Sequence, residues 1–197
     1  MPTLYILGGP NGTGKTTFYE TALLEEFVDS SLSFINADLI ARSFRGGYTA
    51  ENFAKADYVV REKISEHIKA NADFMIESNM ATQRDYDWVE GMKQRGYNVV
   101  LYFLCTSFIE ININRVKKRV KEGGHDIAQS IIEHRYKMGL TYLKGNIHTF
   151  NKVYLIDNSQ ETAIVMAEVN NGILASKNSE APAWVSDVLY IVERLKK

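Results

Sequence analysis

Nine consecutive residues, Gly9-Pro10-Asn11-Gly12-Thr13-Gly14-Lys15-Thr16-Thr17, combine the residue types that hold phosphate. Glycines let a loop turn its backbone N–H groups inward onto phosphate oxygens. The Lys15 ammonium then reaches the outer phosphates, and the Thr16 hydroxyl suits Mg²⁺. The flanks agree. The apolar run Leu4-Tyr5-Ile6-Leu7 precedes the loop as a strand, and Phe18, Ala22, Leu23 and Phe27 recur after it at helical spacing, predicting a helix over 15–28. Thr16 and Thr17 therefore fall at a helix N-terminus, where the dipole favours anions. A nucleoside triphosphate, ATP or another, is the ligand that this loop implies.

Two acidic residues stand where chemistry on such a triphosphate would need them. Asp38 follows Phe34-Ile35-Asn36. It is either a carboxylate that positions an acceptor hydroxyl and takes its proton, or an N-cap for Leu39–Ser43. Glu77 ends Phe74-Met75-Ile76. It either holds a Mg²⁺-bound water or a substrate hydroxyl, or is satisfied by nearby helix N-termini. Ser78, Asn79 and Thr82 are substrate contacts or turn and cap residues. Further on, Arg115 and Arg119 share a helix face at i, i+4, with Val116 and Val120 as an apolar stripe beside them. Guanidinium groups suit phosphoryl oxygens, although a basic helix face alone is equally a solvated one. Gly123-Gly124-His125-Asp126 breaks this helix, and Asp126 with Gln129 has the spacing of a capping box. An arginine helix with a glycine break reads as a lid over a triphosphate. Arg135 lies in the following helix, off the stripe Ala128, Ile132, Tyr136, Leu140 and Leu143. His125 lacks ligand-spaced partners for a metal, and Cys105 reads as a buried small apolar residue.

The elements that must position these residues alternate. Strands are predicted at Leu4–Leu7, Ser33–Asn36, Phe74–Glu77, Val99–Cys105 and Val153–Asp157, with helices over 15–28, 50–70, 84–95, 108–122 and 127–144. Thr49 is the expected N-cap of the second helix. This alternation predicts an α/β fold, a doubly wound sheet of about five mainly parallel strands with helices on both faces. Its functional loops should lie at the carboxyl ends of the strands, among them Asn36-Ala37-Asp38, Glu77-Ser78-Asn79 and Asp157-Asn158-Ser159. Ala163–Val169 and Ile173–Ser176 flank Asn170-Asn171-Gly172 as a β-hairpin, followed by a short helix over Ala183–Leu195. We read residues 1–197 as a single domain, with a helical lid over about 108–145 and the hairpin segment 162–197 as an appendage to the core.

The chain has 197 residues, a net charge of −1 and one cysteine. A single cysteine excludes an internal disulfide and makes a cytoplasmic setting the expectation. No apolar run approaches a membrane span, and no signal peptide precedes the first strand. The balanced charge and the lack of a basic–aromatic stripe argue against a polynucleotide partner.

In this order, GPNGTGKTT, INADLIA, IESNMAT, RVKKRVKEGGHDI, HRY and YLIDNS resemble the zeta-toxin family of small P-loop kinases over roughly 4–160. The resemblance implies a P-loop NTPase-type fold and Mg²⁺-dependent phosphoryl transfer from ATP to a hydroxyl of a small molecule. The characterised toxins phosphorylate UDP-N-acetylglucosamine. Carried over by position, Lys15 steadies the phosphates, Thr16 binds Mg²⁺, Asp38 is the base and Glu77 helps hold substrate. Arg119, with Arg115 or Arg135, is the charge clamp. The chain departs from the family pattern at Asn79, where the toxins tend to have Thr, and at Ala128, where proline is common. Nothing in it supports an antitoxin partner. The competing readings are a nucleotide or polynucleotide-end kinase and an NTP-binding regulatory module with little transferase activity.

Overall fold

A computed structural model of the chain describes residues 1–21, 29 and 32–194. Its centre is a seven-stranded sheet: β1 (Thr3–Gly8), β2 (Phe34–Ile35), β3 (Phe74–Ser78), β4 (Asn98–Cys105), β5 (Lys152–Asp157), β6 (Ile164–Asn170) and β7 (Ile173–Lys177), in the order β2-β3-β1-β4-β5-β6-β7. The first five strands are parallel, and β1 lies between β3 and β4. This register sets Gly8 beside Ser78 on one side and Phe103 on the other. The phosphate loop thus leaves the sheet at its middle, flanked by the carboxyl ends of both neighbours. Ligands of open α/β sheets gather at such a place.

Period-two alternation within the buried strands feeds two cores. Leu4, Ile6, Phe74, Leu101, Phe103 and Leu155 point to one face. There they meet helices α4 (Gln83–Gln94), α6 (Gln129–Asn146) and α7 (Ala183–Arg194). Leu7, Met75, Tyr102, Leu104 and Ile156 point to the other, against Phe18 of α1 (Lys15–Tyr19). On that second face Tyr5, Tyr102 and Tyr154 stack across β1, β4 and β5, with ring centroids 6.4 and 5.1 Å apart. A third, smaller cluster of Ile113, Val116, Ile127 and Ile132 joins α5 (Ile109–Lys121) to the start of α6. The stripe read from Val116 and Val120 therefore fastens α5 and α6 to each other.

The helix predicted over 15–28 is present as α1 over Lys15–Tyr19, where Glu20 caps it. Ala22, Leu23 and Phe27 lie outside the described residues. A short helix, α2 (Ala37–Ser43), follows β2, and α3 (Ala50–Ala70) starts at Thr49, whose hydroxyl accepts the Asn52 N–H at 3.1 Å. The hairpin turns at Asn171-Gly172, both at positive φ (49° and 76°), as its Asn-Gly pair requires. Its first strand pairs antiparallel with β5, so the hairpin continues the central sheet. Among the described residues no helix is long and apolar enough to cross a membrane.

Candidate active site

The phosphate loop is held by its own lysine and by two asparagines from outside it. Lys15 is buried, and its Nζ donates to the carbonyls of Gly9 at 2.6 Å and Pro10 at 3.2 Å. Glu77 Oε1 stands 3.6 Å away. Burial pushes the ammonium below its ordinary lysine pKa, while the carboxylates of Glu77 and Asp38 act in the opposite direction. Asn112, fully buried on α5, donates through Nδ2 to the Asn11 carbonyl at 2.7 Å, and its Oδ1 accepts the Thr106 hydroxyl. Asn158, just past β5, donates to the Thr13 carbonyl at 2.7 Å. Gly9 (φ 133°) and Gly12 (φ 79°) back onto the main chain at Leu104 and Asn112, so a side chain at either would collide with backbone.

The two carboxylates are organised by Asn36, which the sequence marks only as part of a strand-end loop. Asn36 is the N-cap of α2, its Oδ1 accepting the Leu39 N–H at 3.0 Å, and its Nδ2 donates to Glu77 Oε2 at 2.6 Å. A single side chain thus starts a helix and fixes the neighbouring strand's carboxylate. The capping role offered as an alternative for Asp38 belongs to Asn36. Asp38 instead lies in the first turn of α2, half-buried.

Asp38 and Glu77, with Asn11, line two cavities at once. One, of about 440 Å³, runs along the phosphate loop past Thr16 and Thr17 to Arg115 and Arg119. The other, of about 310 Å³, lies on the far side of the carboxylates and is walled by Phe53, Asn79, His125 and Arg135. The His125 ring leans on Phe53 and Tyr48, with centroids 4.7 and 5.4 Å apart.

The three arginines do different things. Arg115 donates to the carbonyls of Asn158 at 2.8 Å and Gln160 at 3.4 Å, tying α5 to the loop after β5. Arg119 donates to the His125 carbonyl at 3.1 Å, and its buried Nε has no partner among the described residues. Arg135 faces the second cavity and donates to Asn11 Oδ1 at 2.8 Å. The capping box expected from Asp126 and Gln129 is not formed: α6 starts after Ala128 without a side-chain cap, and Gln129 bonds Glu133 at 2.8 Å. Thr82 does not join the site. It caps α4 in a reciprocal box with Asp85, its hydroxyl 2.7 Å from Asp85 Oδ2, on the wall of neither cavity. Cys105 is buried, and its thiol is pushed up to about 12 by desolvation. No group of three or more His, Cys, Asp or Glu among the described residues could hold a metal by itself.

The zeta toxin family model matches residues 1–170. The chain belongs to the zeta-toxin family. An uncharacterized protein of Haemophilus influenzae is 31 % identical over 133 residues, covering 65 % of this chain and 88 % of that protein. In fold, this zeta-toxin-family chain resembles AvrRxo1-ORF1:AvrRxo1-ORF2, also solved with ATP, at a TM-score of 0.69 and 16 % identity over 91 % of this chain. It spans 62 % of that longer chain. The PezAT toxin–antitoxin system of Streptococcus pneumoniae matches at a TM-score of 0.56 and 18 % identity, over 98 % of this chain and 78 % of that one. A putative kinase from Chloroflexus aurantiacus matches at 0.52 and 19 % identity, over 70 % and 78 %. Family and fold together support a P-loop kinase.

Proposed function

We propose that the chain transfers the γ-phosphoryl group of ATP to a hydroxyl of a small molecule, with ATP along the phosphate loop and the acceptor in the cavity beyond Asp38 and Glu77. The observation that carries this reading is the shared wall. A base that serves in-line transfer must stand between donor and acceptor, within reach of both. Asp38 accepts the acceptor's hydroxyl proton as the new O–P bond forms and the bond from γ-phosphorus to the ADP oxygen breaks. Glu77, braced by Asn36, orients that hydroxyl. Lys15 and the donor loop's N–H groups take the phosphate charge. Arg119, with its Nε uncommitted, is our choice for the charge that grows in the transition state. Arg115 braces the loop after β5, and Arg135 lies on the acceptor side.

Mg²⁺ fits the oxygen donors present. Thr16, Asp38 and Glu77 offer one hydroxyl and two carboxylates along a single cleft, and Mg²⁺ commonly takes few protein ligands beside water and phosphate. Thr16 would hold the ion, which would neutralise charge on the phosphates.

The test is ATP consumption across UDP-sugars, sugars, nucleosides and amino-alcohols, with Asp38→Asn as the blank. An acceptor whose phosphorylation vanishes in the blank supports the reading. Transfer that survives Asp38→Asn would remove Asp38 as base.

A further inference from the structure

The loop after β5 forms one side of the donor cleft, and part of what holds it comes from outside that cleft. Asn158 donates to the Thr13 carbonyl at 2.7 Å, and a Cβ on Gly14 would come within 2.5 Å of the same amide nitrogen. It therefore packs directly on the phosphate loop. Asn158, Gln160 and Glu161 also line the cavity that runs along Lys15 and Thr16. The loop takes its shape from the carboxylate of Asp157, buried where β5 ends. Three neutral donors satisfy that carboxylate: the Ser159 N–H at 3.0 Å, the Ser107 hydroxyl at 3.2 Å and the Trp184 indole N–H at 2.8 Å. The first belongs to the loop itself and the second lies just past β4. The third comes from α7, past residue 170, where the family match ends.

The core fixes the direction of that N–H. Trp184 is the second residue of α7, and Val185, Val188, Leu189 and Val192 bury the helix in the main core. The Trp184 ring lies 6.3 Å from that of Phe103 on β4. A buried carboxylate is costly unless its lone pairs are bonded, and an indole can only donate. The contact is thus a tether from α7 to the end of β5, and the carbonyls of Asn158 and Gln160 that anchor Arg115 lie just beyond it. We propose that Trp184 is a positioning residue for the nucleotide. Acting through Asp157, it fixes the loop whose Asn158 steadies the phosphate loop and whose carbonyls hold Arg115. The inference rests on the kinase reading above and adds a part to it: the C-terminal segment completes the donor site.

Two variants of the full chain isolate the N–H. Trp184→Phe keeps an aromatic ring and loses the donor. In a Trp88→Phe chain, Trp184 is the one tryptophan left, and benzothienylalanine in its place exchanges the N–H for sulfur at nearly unchanged shape. Compared with Trp88→Phe itself, this second variant decides the matter if Trp184→Phe does not fold. ATP binding, measured by calorimetry, should weaken about tenfold in either variant, the scale of one lost hydrogen bond to a buried charge. With any acceptor used, kcat should change by less than about twofold, so that KM for ATP carries the effect. Val188→Ala is the control: it removes core volume from the same helix and no donor, so it should lower the melting temperature and leave ATP affinity alone. ATP affinity unchanged in the N–H variants overturns the inference, and so does an equal loss in Val188→Ala. In an Asn158→Ala background, Trp184→Phe should weaken ATP binding no further, and additive losses would overturn the route through the loop. If ATP affinity falls as expected in a chain that phosphorylates no acceptor, the inference stands and the transfer reading fails. A wild type that binds no ATP overturns both.

Discussion

In the donor loop the carbonyls of Gly9, Pro10, Asn11 and Thr13 each accept a hydrogen bond from a side chain. Across the wall formed by Asp38 and Glu77, the second cavity is open and is lined by Phe53, Asn79, His125 and Arg135. The first region is braced from within the chain; the second is an open cavity. Phosphate is recognised by backbone N–H groups, so the loop's other polar groups must be satisfied internally to hold those N–H groups in place. A small-molecule pocket is instead lined by side chains, and a few polar groups among them fix what it admits. On the proposed reading, the donor half is built on backbone and the acceptor half on side chains.

The strongest way to break the comparison is to remove the charge at the centre of the donor half. Lys15→Ala should lower transfer by about three orders of magnitude or more, since it removes a preorganised cation from the developing phosphoryl charge. It should not unfold the protein. It should still cost about 1–3 kcal/mol, because the Gly9 carbonyl loses its donor and Glu77 a partner, partly offset by relief of the ammonium's burial penalty. Assayed ATP consumption and thermal melts on one preparation check both halves of that statement. Asp38→Asn should follow closely, at roughly 10²–10⁴-fold, as expected for a general base.

Next come the arginines, which the geometry has sorted. Arg119→Ala should reduce kcat by about 10²-fold with a small change in the KM for ATP, because Arg119 lines the cavity along the phosphate loop, where we place the transferring phosphoryl group. Arg115→Ala should mainly raise the KM for ATP, by roughly tenfold, because its bonds go to the carbonyls of the loop after β5. Steady-state kinetics on both variants would show the opposite pattern if the assignments were reversed.

Asn112 tests whether the donor half is as self-satisfied as described. Asn112→Ala leaves the Asn11 carbonyl without its donor, while the Thr106 hydroxyl keeps the Phe108 carbonyl at 3.1 Å, at a cost of about 1–3 kcal/mol for the buried carbonyl. Chemical denaturation should show that loss, together with weaker ATP binding. A variant as stable as the wild type, binding ATP equally well, would mean the loop does not depend on its outside braces.

These effects also mark what could be read before the fold was known. The phosphate loop, Asp38, Glu77 and the arginine helix were legible because backbone recognition forces a fixed run of residue types, and because strand ends in an open sheet face one place. Asn36 and Asn158 showed only as members of strand-end loops, and the task of none of the three asparagines, Asn112 included, was legible. Each acts by bonding main chain or a carboxylate far away in sequence, and asparagine carries no spacing signal for that task. Asn112 left one trace: it is a polar residue on the buried stripe that also holds Ile113 and Val116. Thr82 misled for the converse reason. A hydroxyl past a strand end serves a helix cap as well as a substrate, and the reciprocal partner Asp85, three residues on, decides for the cap.

The smallest effect probes how tightly the donor half is closed from below. Cys105 ends β4 next to Leu104, whose carbonyl backs Gly9, and its thiol is pushed up to about 12 by burial. Because the folded pKa lies above the ordinary value of 9.0, the fold favours the protonated thiol. That contribution to stability is present below about pH 9 and is lost as pH rises through about 12. At pH 8 only about one thiol in 10⁴ is ionised in the folded chain, against roughly one in ten when unfolded, and only the thiolate reacts. Iodoacetamide at pH 8 should therefore label the native protein at least about 10³-fold more slowly than the denatured one. Rapid native labelling would mean that the floor beneath the phosphate loop opens, and the contrast between a closed donor half and an open acceptor half would have to be given up.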